Sequence, residues 1–399
     1  MLRLSYNAGL KPVFRIDMRK SLFLIFLLIW VIACGAPAFE RETATEEPAV
    51  TDTEATQVAV GGEMSPEIDA LMARYADTPG GAVMVIQNGE VVFQNGYGLA
   101  DVENGLPITT DSIFHLGSVG KQFTALGVMM LEEQGLVSYD DPIGKYIPEL
   151  AWMDDGVTIR RLLYHTSGIM GYDDSDAIYD ALVASSGAPT NEDLLAVLAE
   201  QGDMLTDPGE VYSYSNTGYE ILGSLIERVS GEKYAVFMEK NIFAPLGMTH
   251  TFSLPNPERL QDKNVAQSYY LDGGQPWAYE PDILDGLTCS GSIYTTLGDM
   301  YLYDQALRNN ELVSAETLDE AFTSGTLNNG ESIEYGFGVD VSEYSGYEYI
   351  GHSGAWLGFE SYYLYIPEKN LSVVVLLNFD YSEEGAEGIA FSVADLYLK

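Results

Sequence analysis

Strand patterns lie at both ends of the folded part of the chain, and a long helical stretch separates them. The N-terminal pair, at 82–87 and 91–97, is joined across Asn88-Gly89, and this arrangement predicts a β-hairpin. Residues from about 131 to 307 carry mostly helical patterns and long loops. The remaining patterns are four strands and a last helix, at 334–341, 347–352, 360–366, 372–378 and 385–398.

This separation limits the sheets that can form. Strands from both ends share one sheet when the middle of the chain leaves the sheet and returns to it. We therefore predict an α/β protein of the α+β type, whose antiparallel sheet is flanked by helices and built from both chain ends, with an inserted, mostly helical lobe. One domain then covers 63–399, with a sheet lobe at about 63–130 and 290–399 and a helical lobe at about 131–289.

The first 62 residues have the composition of an export signal followed by a tether. Arg19 and Lys20 precede an uninterrupted apolar run, which is typical of a signal peptide at 1–33 and is short for a membrane span. The run ends at Cys34 in a sequence that resembles the lipobox of bacterial lipoproteins, although an ordinary signal peptide with a chance cysteine is the alternative. Residues 34–62 predict a disordered acidic linker. We expect an exported bacterial lipoprotein, anchored to the membrane through lipidated Cys34 and facing the periplasm or the cell exterior.

The charge of the chain excludes one class of partner. The sequence has 60 acidic against 19 basic residues, a formal charge of −41, which repels nucleic-acid phosphates. Such a surface is typical of proteins that work in high salt, but a surface indifferent to salt fits the composition equally well. We therefore expect no nucleic-acid partner, and the salt requirement stays open.

The segment around Ser118 holds the strongest candidate for a nucleophile. In Ser118-Val119-Gly120-Lys121 the lysine follows three residues later, so on a helix its amine lies on the same face as the hydroxyl and can reach it. A buried lysine with a lowered pKa can accept the proton of the serine. Alone, the pattern is frequent by chance and usually marks a capping serine with a solvated lysine.

Two further segments carry groups that suit acyl transfer. Tyr214-Ser215-Asn216, in a polar and turn-prone stretch, offers a phenol for proton transfer and an amide for a substrate carbonyl. Gly351-His352-Ser353-Gly354-Ala355 lies at the end of a strand pattern, where glycine lets a substrate approach the backbone.

The order of these three segments resembles the motifs of the class C β-lactamases, the serine D,D-peptidases and the related esterases. Similar sequence extends over about 65–398 and includes His165-Thr166-Ser167-Gly168. The resemblance implies a β-lactamase/transpeptidase-like fold and a covalent acyl-enzyme formed on Ser118. It also implies roles for the matching residues: proton transfer by Lys121 and Tyr214 with His352 in the third motif, substrate binding by Asn216, Ser353, Gly354 and Ala355, and an oxyanion hole from the backbone N–H groups of Ser118 and Ala355.

One position departs from the β-lactamase pattern. His352 stands where β-lactamases carry a lysine whose charge faces the substrate carboxylate, and a histidine with an ordinary pKa near 6.5 is mostly neutral at pH 7. The departure favours a D,D-peptidase, amidase or esterase over an efficient β-lactamase. A β-lactamase proper, or a non-catalytic receptor for penicillin or peptidoglycan peptides, remains an alternative, although a receptor does not require both Lys121 and Tyr214.

The other candidate groups predict neither a metal nor an organic cofactor. The four histidines are scattered, and the sequence has no His-Glu-x-x-His and no cysteine pair. We expect a monomer that acts on a small-molecule or peptide acyl substrate. His165 is interpreted as a structural histidine and Cys289 as a buried residue or part of a cleft wall, while Trp356 is left open between cleft lining and packing.

Overall fold

A computed structural model describes residues 65–153, 155–272, 275–380 and 384–399. The predicted signal peptide, Cys34 and the linker lie outside the described residues. Within the described ranges, no helix combines the length and the hydropathy needed to cross a membrane.

Short and long strands alternate with helices along the chain. The strands are β1 (Gly81–Gln87), β2 (Glu90–Tyr97), β3 (Leu99–Asp101), β4 (Leu106–Pro107), β5 (Phe114–His115), β6 (Phe252–Ser253), β7 (Tyr269–Asp272), β8 (Gln275–Ala278), β9 (Ile293–Thr295), β10 (Asp340–Tyr344), β11 (Tyr347–Trp356), β12 (Phe359–Ile366) and β13 (Leu371–Leu377). The helices are α1 (Pro66–Met72), α2 (Lys121–Glu133), α3 (Ile159–Leu163), α4 (Asp176–Ser185), α5 (Asn191–Gln201), α6 (Asn216–Ser230), α7 (Tyr234–Met238), α8 (Ala244–Leu246), α9 (Leu297–Asn309), α10 (Ala315–Ala321) and α11 (Gly385–Tyr397).

The main sheet has six antiparallel strands in the order β10-β11-β12-β13-β1-β2. Its last strand in sequence, β13, pairs with its first, β1, from Gly81 opposite Leu377 to Gln87 opposite Leu371. The β1–β2 hairpin turns at Asn88 with φ 54°, a left-handed conformation that asparagine and glycine tolerate in two-residue turns. The predicted fold class, an antiparallel sheet built from both chain ends, is therefore confirmed.

The adjacent strands β1 and β13 are covered on both faces, which explains their nearly continuous apolar sequences. On one face Val83 and Val375 pack with Ile389 of α11 and with α1. On the other face Met84 and Val374 belong to the core that includes α2 and α9. Because burying such a side chain stabilises the fold by roughly 1.5–3 kcal/mol, these strands fix the register of the sheet.

The strand predicted at 334–341 is wrong in its first six residues, since β10 begins only at Asp340. The alternating pattern there contains two glycines that form a turn. Gly338 has φ 73°, and the Gly336 N–H donates to the Val339 carbonyl at 2.7 Å. Tyr335 consequently turns back beside Asp340 instead of continuing the sheet.

The central helices position the second candidate segment against the first. Helix α6 packs against α2, so the N-terminus of α6 lies close to that of α2. Strand β5 leads directly into a 3₁₀ turn at Gly117–Gly120, and α2 follows at Lys121. The candidate site lies where the N-termini of α2 and α6 meet β11.

Candidate active site

The Ser118 turn lies directly against the backbone of β11. A Cβ atom on Gly117, whose φ is 51°, would lie 2.4 Å from the Ala355 nitrogen, and one on Gly354 would lie 2.0 Å from the Leu116 carbonyl oxygen. Only glycine permits this approach at both positions. The contact brings the backbone of Ser118 beside that of Ala355, the pair that the sequence predicts as an oxyanion hole.

Lys121 is fully buried beneath Ser118, with its Nζ 3.2 Å from the serine Oγ. The same Nζ lies 2.7 Å from Asn216 Oδ1 and 2.9 Å from the Ser290 carbonyl oxygen. Burial lowers the pKa of Lys121 to about 7, against the opposing charges of Glu220 and Asp173. A neutral amine has two N–H donors and one lone pair, so it can donate to both carbonyl oxygens and accept the proton of Ser118.

Tyr214 and Asn216 lie at the N-terminus of α6. Ser215 caps this helix by accepting the Gly218 N–H at 3.1 Å, so Asn216 is its first residue instead of part of the predicted loop. The Tyr214 ring centroid lies 4.8 Å from Lys121 Nζ. Burial raises the pKa of the Tyr214 phenol above its usual range, and its hydrogen bond with Ser118 opposes that shift. The phenol is therefore protonated at neutral pH and can donate.

Sequence reasoning missed Glu220, which fixes the backbone at Cys289 and Ser290, next to Lys121. This fully buried carboxylate on α6 accepts the N–H groups of Cys289 and Ser290, each at 2.9 Å. The segment it fixes presents the Ser290 carbonyl to Lys121. Nothing in the local sequence signals this role, because the groups involved are backbone atoms about 70 residues away along the chain.

His352 is buried, and its pKa is lower than the ordinary histidine value assumed from the sequence. Burial and the nearby Lys121 lower its pKa to about 3. Its Nε2 lies 2.8 Å from the Tyr335 hydroxyl, and its Nδ1 bonds the Ser353 carbonyl. The position therefore presents no positive charge to the cleft at physiological pH.

A directed chain of hydrogen bonds connects the second and third motifs. The Ser215 N–H donates to His165 Nδ1 at 3.1 Å, so the proton of neutral His165 is on Nε2, which lies 3.2 Å from the Tyr335 hydroxyl. The Tyr335 proton is then free for His352 Nε2, and His352 Nδ1–H donates to the Ser353 carbonyl. Both ring nitrogens of His165 have partners, as a structural histidine requires. Tyr335 itself was missed, since it lies in the wrongly predicted strand.

We expect Tyr335→Phe to lower the free energy of unfolding by about 1–3 kcal/mol, because it leaves a buried acceptor on His352 without a donor. The control is Tyr139→Phe, since Tyr139 is 3% exposed and its hydroxyl has no hydrogen-bond partner among the described residues. Urea unfolding of both variants tests the expectation. Equal midpoints for the two variants would show that the chain of hydrogen bonds contributes nothing to stability.

Two cavities extend from Ser118. The large cavity, of about 460 Å³, is lined by Ser118, Tyr214, His352, Ser353, Gly354, Ala355 and several acidic residues. The small cavity, of about 60 Å³, is lined by Ser118, Tyr172, Asn216, Gly291, Ala355 and Trp356. Ser118 and Ala355 are the two residues common to both linings.

The structure places two residues that lie outside the three motifs and whose roles the sequence left open. Trp356 lines the small cavity and donates from Nε1 to Asp285 at 2.9 Å. Cys289 is buried against α6, where a Cβ on Gly223 would lie 2.1 Å from its Sγ. In the described part of the chain no group of three or more His, Cys, Asp or Glu side chains could hold a metal ion.

Comparisons with known proteins agree with one another. The family model described as beta-lactamase matches residues 68–398. Penicillin-binding protein 4* of Bacillus subtilis (strain 168) is 32% identical over 324 residues, which is 77% of this chain and 70% of that protein. The putative penicillin-binding protein PbpX of the same organism is 33% identical over 263 residues, 66% of this chain and 62% of that one. The solved structure of an octameric penicillin-binding protein homologue from Pyrococcus abyssi is 33% identical with a TM-score of 0.70, covering 83% of this chain and 75% of that chain.

Proposed function

The chain belongs to the beta-lactamase family of serine hydrolases, and on that premise we propose that it cleaves amide or ester substrates through an acyl-Ser118 intermediate, as a D,D-peptidase- or esterase-like member. The observation that carries the proposal is the contact between Lys121 Nζ and Ser118 Oγ at 3.2 Å. A lysine buried in this way, with a pKa near 7, is a competent base for a serine at neutral pH.

The proposed reaction uses the groups in a fixed order. Neutral Lys121 takes the Ser118 proton while Oγ bonds to the substrate carbonyl carbon. The backbone N–H groups of Ser118 and Ala355 stabilise the oxyanion, and each such donor is typically worth about 2.7–4 kcal/mol. The bond to the leaving group then breaks, and that group takes a proton from Tyr214, which Lys121 restores. A water molecule reverses these steps, releasing the acid and free Ser118.

Two observations favour ester or amide substrates over β-lactams. His352 is neutral, so it lacks the charge that attracts a substrate carboxylate. The small cavity, which contains Asn216, has room for a short acyl group. A receptor that only binds its ligand explains neither the burial of Lys121 nor its contact with Ser118, whereas a receptor that is acylated once needs both and is distinguished by its lack of turnover.

The test is a substrate panel with the soluble domain, comprising short-chain nitrophenyl esters, D-amino-acid amides, D-Ala-D-Ala peptides and a chromogenic cephalosporin. Intact mass measured during turnover reports the acyl-enzyme, and peptide mapping locates it. We expect turnover of the esters or amides with the adduct on Ser118. Acylation without turnover of any substrate would favour the receptor alternative, and efficient cephalosporin hydrolysis would favour a β-lactamase.

We also propose that the protein is exported and anchored through lipidated Cys34, because this cysteine follows the predicted signal peptide. Cys34→Ser should move the protein from the membrane fraction to the soluble fraction or block its processing. Fractionation with mass spectrometry of the N-terminus measures both. An unmodified Cys34 in wholly soluble wild-type protein would contradict the proposal.

A further inference from the structure

The two cavities divide the cleft between the two halves of a substrate. Because Ser118 and Ala355 are common to both linings, the reacting carbonyl lies at their junction. Tyr214, the proton donor to the departing group, lines the large cavity and not the small one. Asn216 lines only the small cavity. On the mechanism proposed above, the acyl group therefore occupies the small cavity and the leaving group the large one.

The large cavity has an acidic lining. Four carboxylates line it, and no Lys or Arg occurs among its described lining residues; the four are Asp340, Glu360, Glu384 and Glu387. This cavity also contains His352, which is neutral. A leaving group that carries a carboxylate would meet repulsion there, without any compensating cation.

Local partners satisfy two of the four carboxylates. Glu384 pairs with Arg74 at 2.8 Å, and Glu360 accepts the Ala386 N–H at the start of α11. Asp340 and Glu387 have no ion-pair partner within the described chain, and the charge of Glu387 is one of the causes that raise the pKa of Asp340 to about 7, after burial. Asp340 and Glu387 therefore repel each other within one cavity lining, and a cation bound in that cavity lowers this repulsion and favours the charged form of Asp340.

We propose that the large cavity selects a leaving group bearing a protonated or quaternary amine and disfavours one bearing a carboxylate. The proposal rests on the proposed function and narrows its substrate class to esters and amides, since the leaving group of a D-Ala-D-Ala peptide is D-alanine, which carries a carboxylate. The competing explanation is that the acidic lining only reflects the acidic composition of the whole chain, in which case the charges would lack specificity. The experiment below therefore compares the cavity carboxylates with an equivalent surface carboxylate.

Three acetate esters differ mainly in the charge of the alcohol. Acetylcholine carries a quaternary ammonium, 3,3-dimethylbutyl acetate is its neutral isostere, and 4-acetoxybutanoate carries a carboxylate. Each hydrolysis gives acetate and the free alcohol, with one water consumed. We expect kcat/KM to fall in that order, with the cationic ester favoured over its isostere by about tenfold or more at low salt. Molar sodium chloride should reduce this ratio towards one, because it screens the charges.

The ratio for acetylcholine over its isostere is then measured in variants. Asp340→Asn combined with Glu387→Gln should reduce the ratio at least about threefold. Glu343→Gln, an exposed position on β10 outside the cavity, removes a carboxylate as well and should leave the ratio unchanged. Using a ratio removes any general loss of activity. If the double variant does not fold, the single variant Glu387→Gln, at an exposed position of the cavity lining, is compared with Glu343→Gln in its place.

The outcomes separate this inference from the proposed function. Equal kcat/KM for the cationic and neutral esters, or an equal fall of the ratio in the Glu343 control, would overturn the selectivity while leaving the hydrolase intact. Failure to hydrolyse any of the three esters, with no adduct on Ser118, would count against the proposed function itself.

Discussion

Ser118→Ala is expected to abolish hydrolysis of every substrate that the wild type turns over, by about 10⁴-fold or more, and to remove the acyl adduct seen by mass. The hydroxyl provides the atom that bonds to the carbonyl carbon, and no neighbouring group replaces it. The fold should stay intact, because the side chain caps neither the 3₁₀ turn nor α2, and its hydrogen bonds are with the side chains of Lys121 and Tyr214, inside the site itself.

The control for this variant is Ser342→Ala, a serine of β10 outside both cavities. Initial rates, intact mass and the melting temperature of both variants form one data set. A well-folded Ser118→Ala protein with near wild-type rates, or an adduct mapped to Ser353 or Ser167, would refute the assignment of the nucleophile.

Lys121→Ala is expected to lower kcat/KM by about 10²–10⁴-fold, the usual range for a group that transfers a proton in the transition state. Tyr214→Phe should cause a loss of similar order. The double variant should be little worse than either single one, because groups that act as one relay fail together.

The pH dependence identifies Lys121 as the base. Its folded pKa is lowered to about 7, and the neutral form is the one that accepts the proton, so kcat/KM should rise with pH up to about 7 and then level off. This inflection should be missing from the residual activity of Lys121→Ala. A flat wild-type profile between pH 5 and 8, or an unchanged inflection in the variant, would contradict this role.

The candidate reactive groups could be named from the sequence because their side chains occur in recognisable local patterns. Ser118 and Lys121 lie in one of these patterns and Tyr214 and Asn216 in another, and the fold brings the amine of Lys121 within hydrogen-bond distance of both Ser118 and Asn216. A local sequence pattern does not show how deeply a side chain is buried. The lowering of the His352 pKa to about 3 could therefore not be predicted from the sequence.

The supporting residues were beyond sequence reasoning for a different physical reason. Glu220 and Tyr335 act on partners far away along the chain, and several of those partners are backbone groups common to every residue type. The error at 334–341 shows a related limit. Alternating apolar residues indicate a strand, but Gly336 and Gly338 permit a turn that the alternation does not reveal.

Because β1 pairs with β13, the main sheet can close only after both of these distant strands have been synthesised. The strand at 81–87 finds its partner only after 371–377 have been synthesised. The halves of the predicted oxyanion hole, at Ser118 and Ala355, are likewise far apart along the chain. Contacts across such sequence distances form slowly, since the long loop must close before they are gained. A chain that stops short of 371–377 therefore lacks the strand that closes the sheet, and we expect it to have no hydrolase activity until that strand has been added.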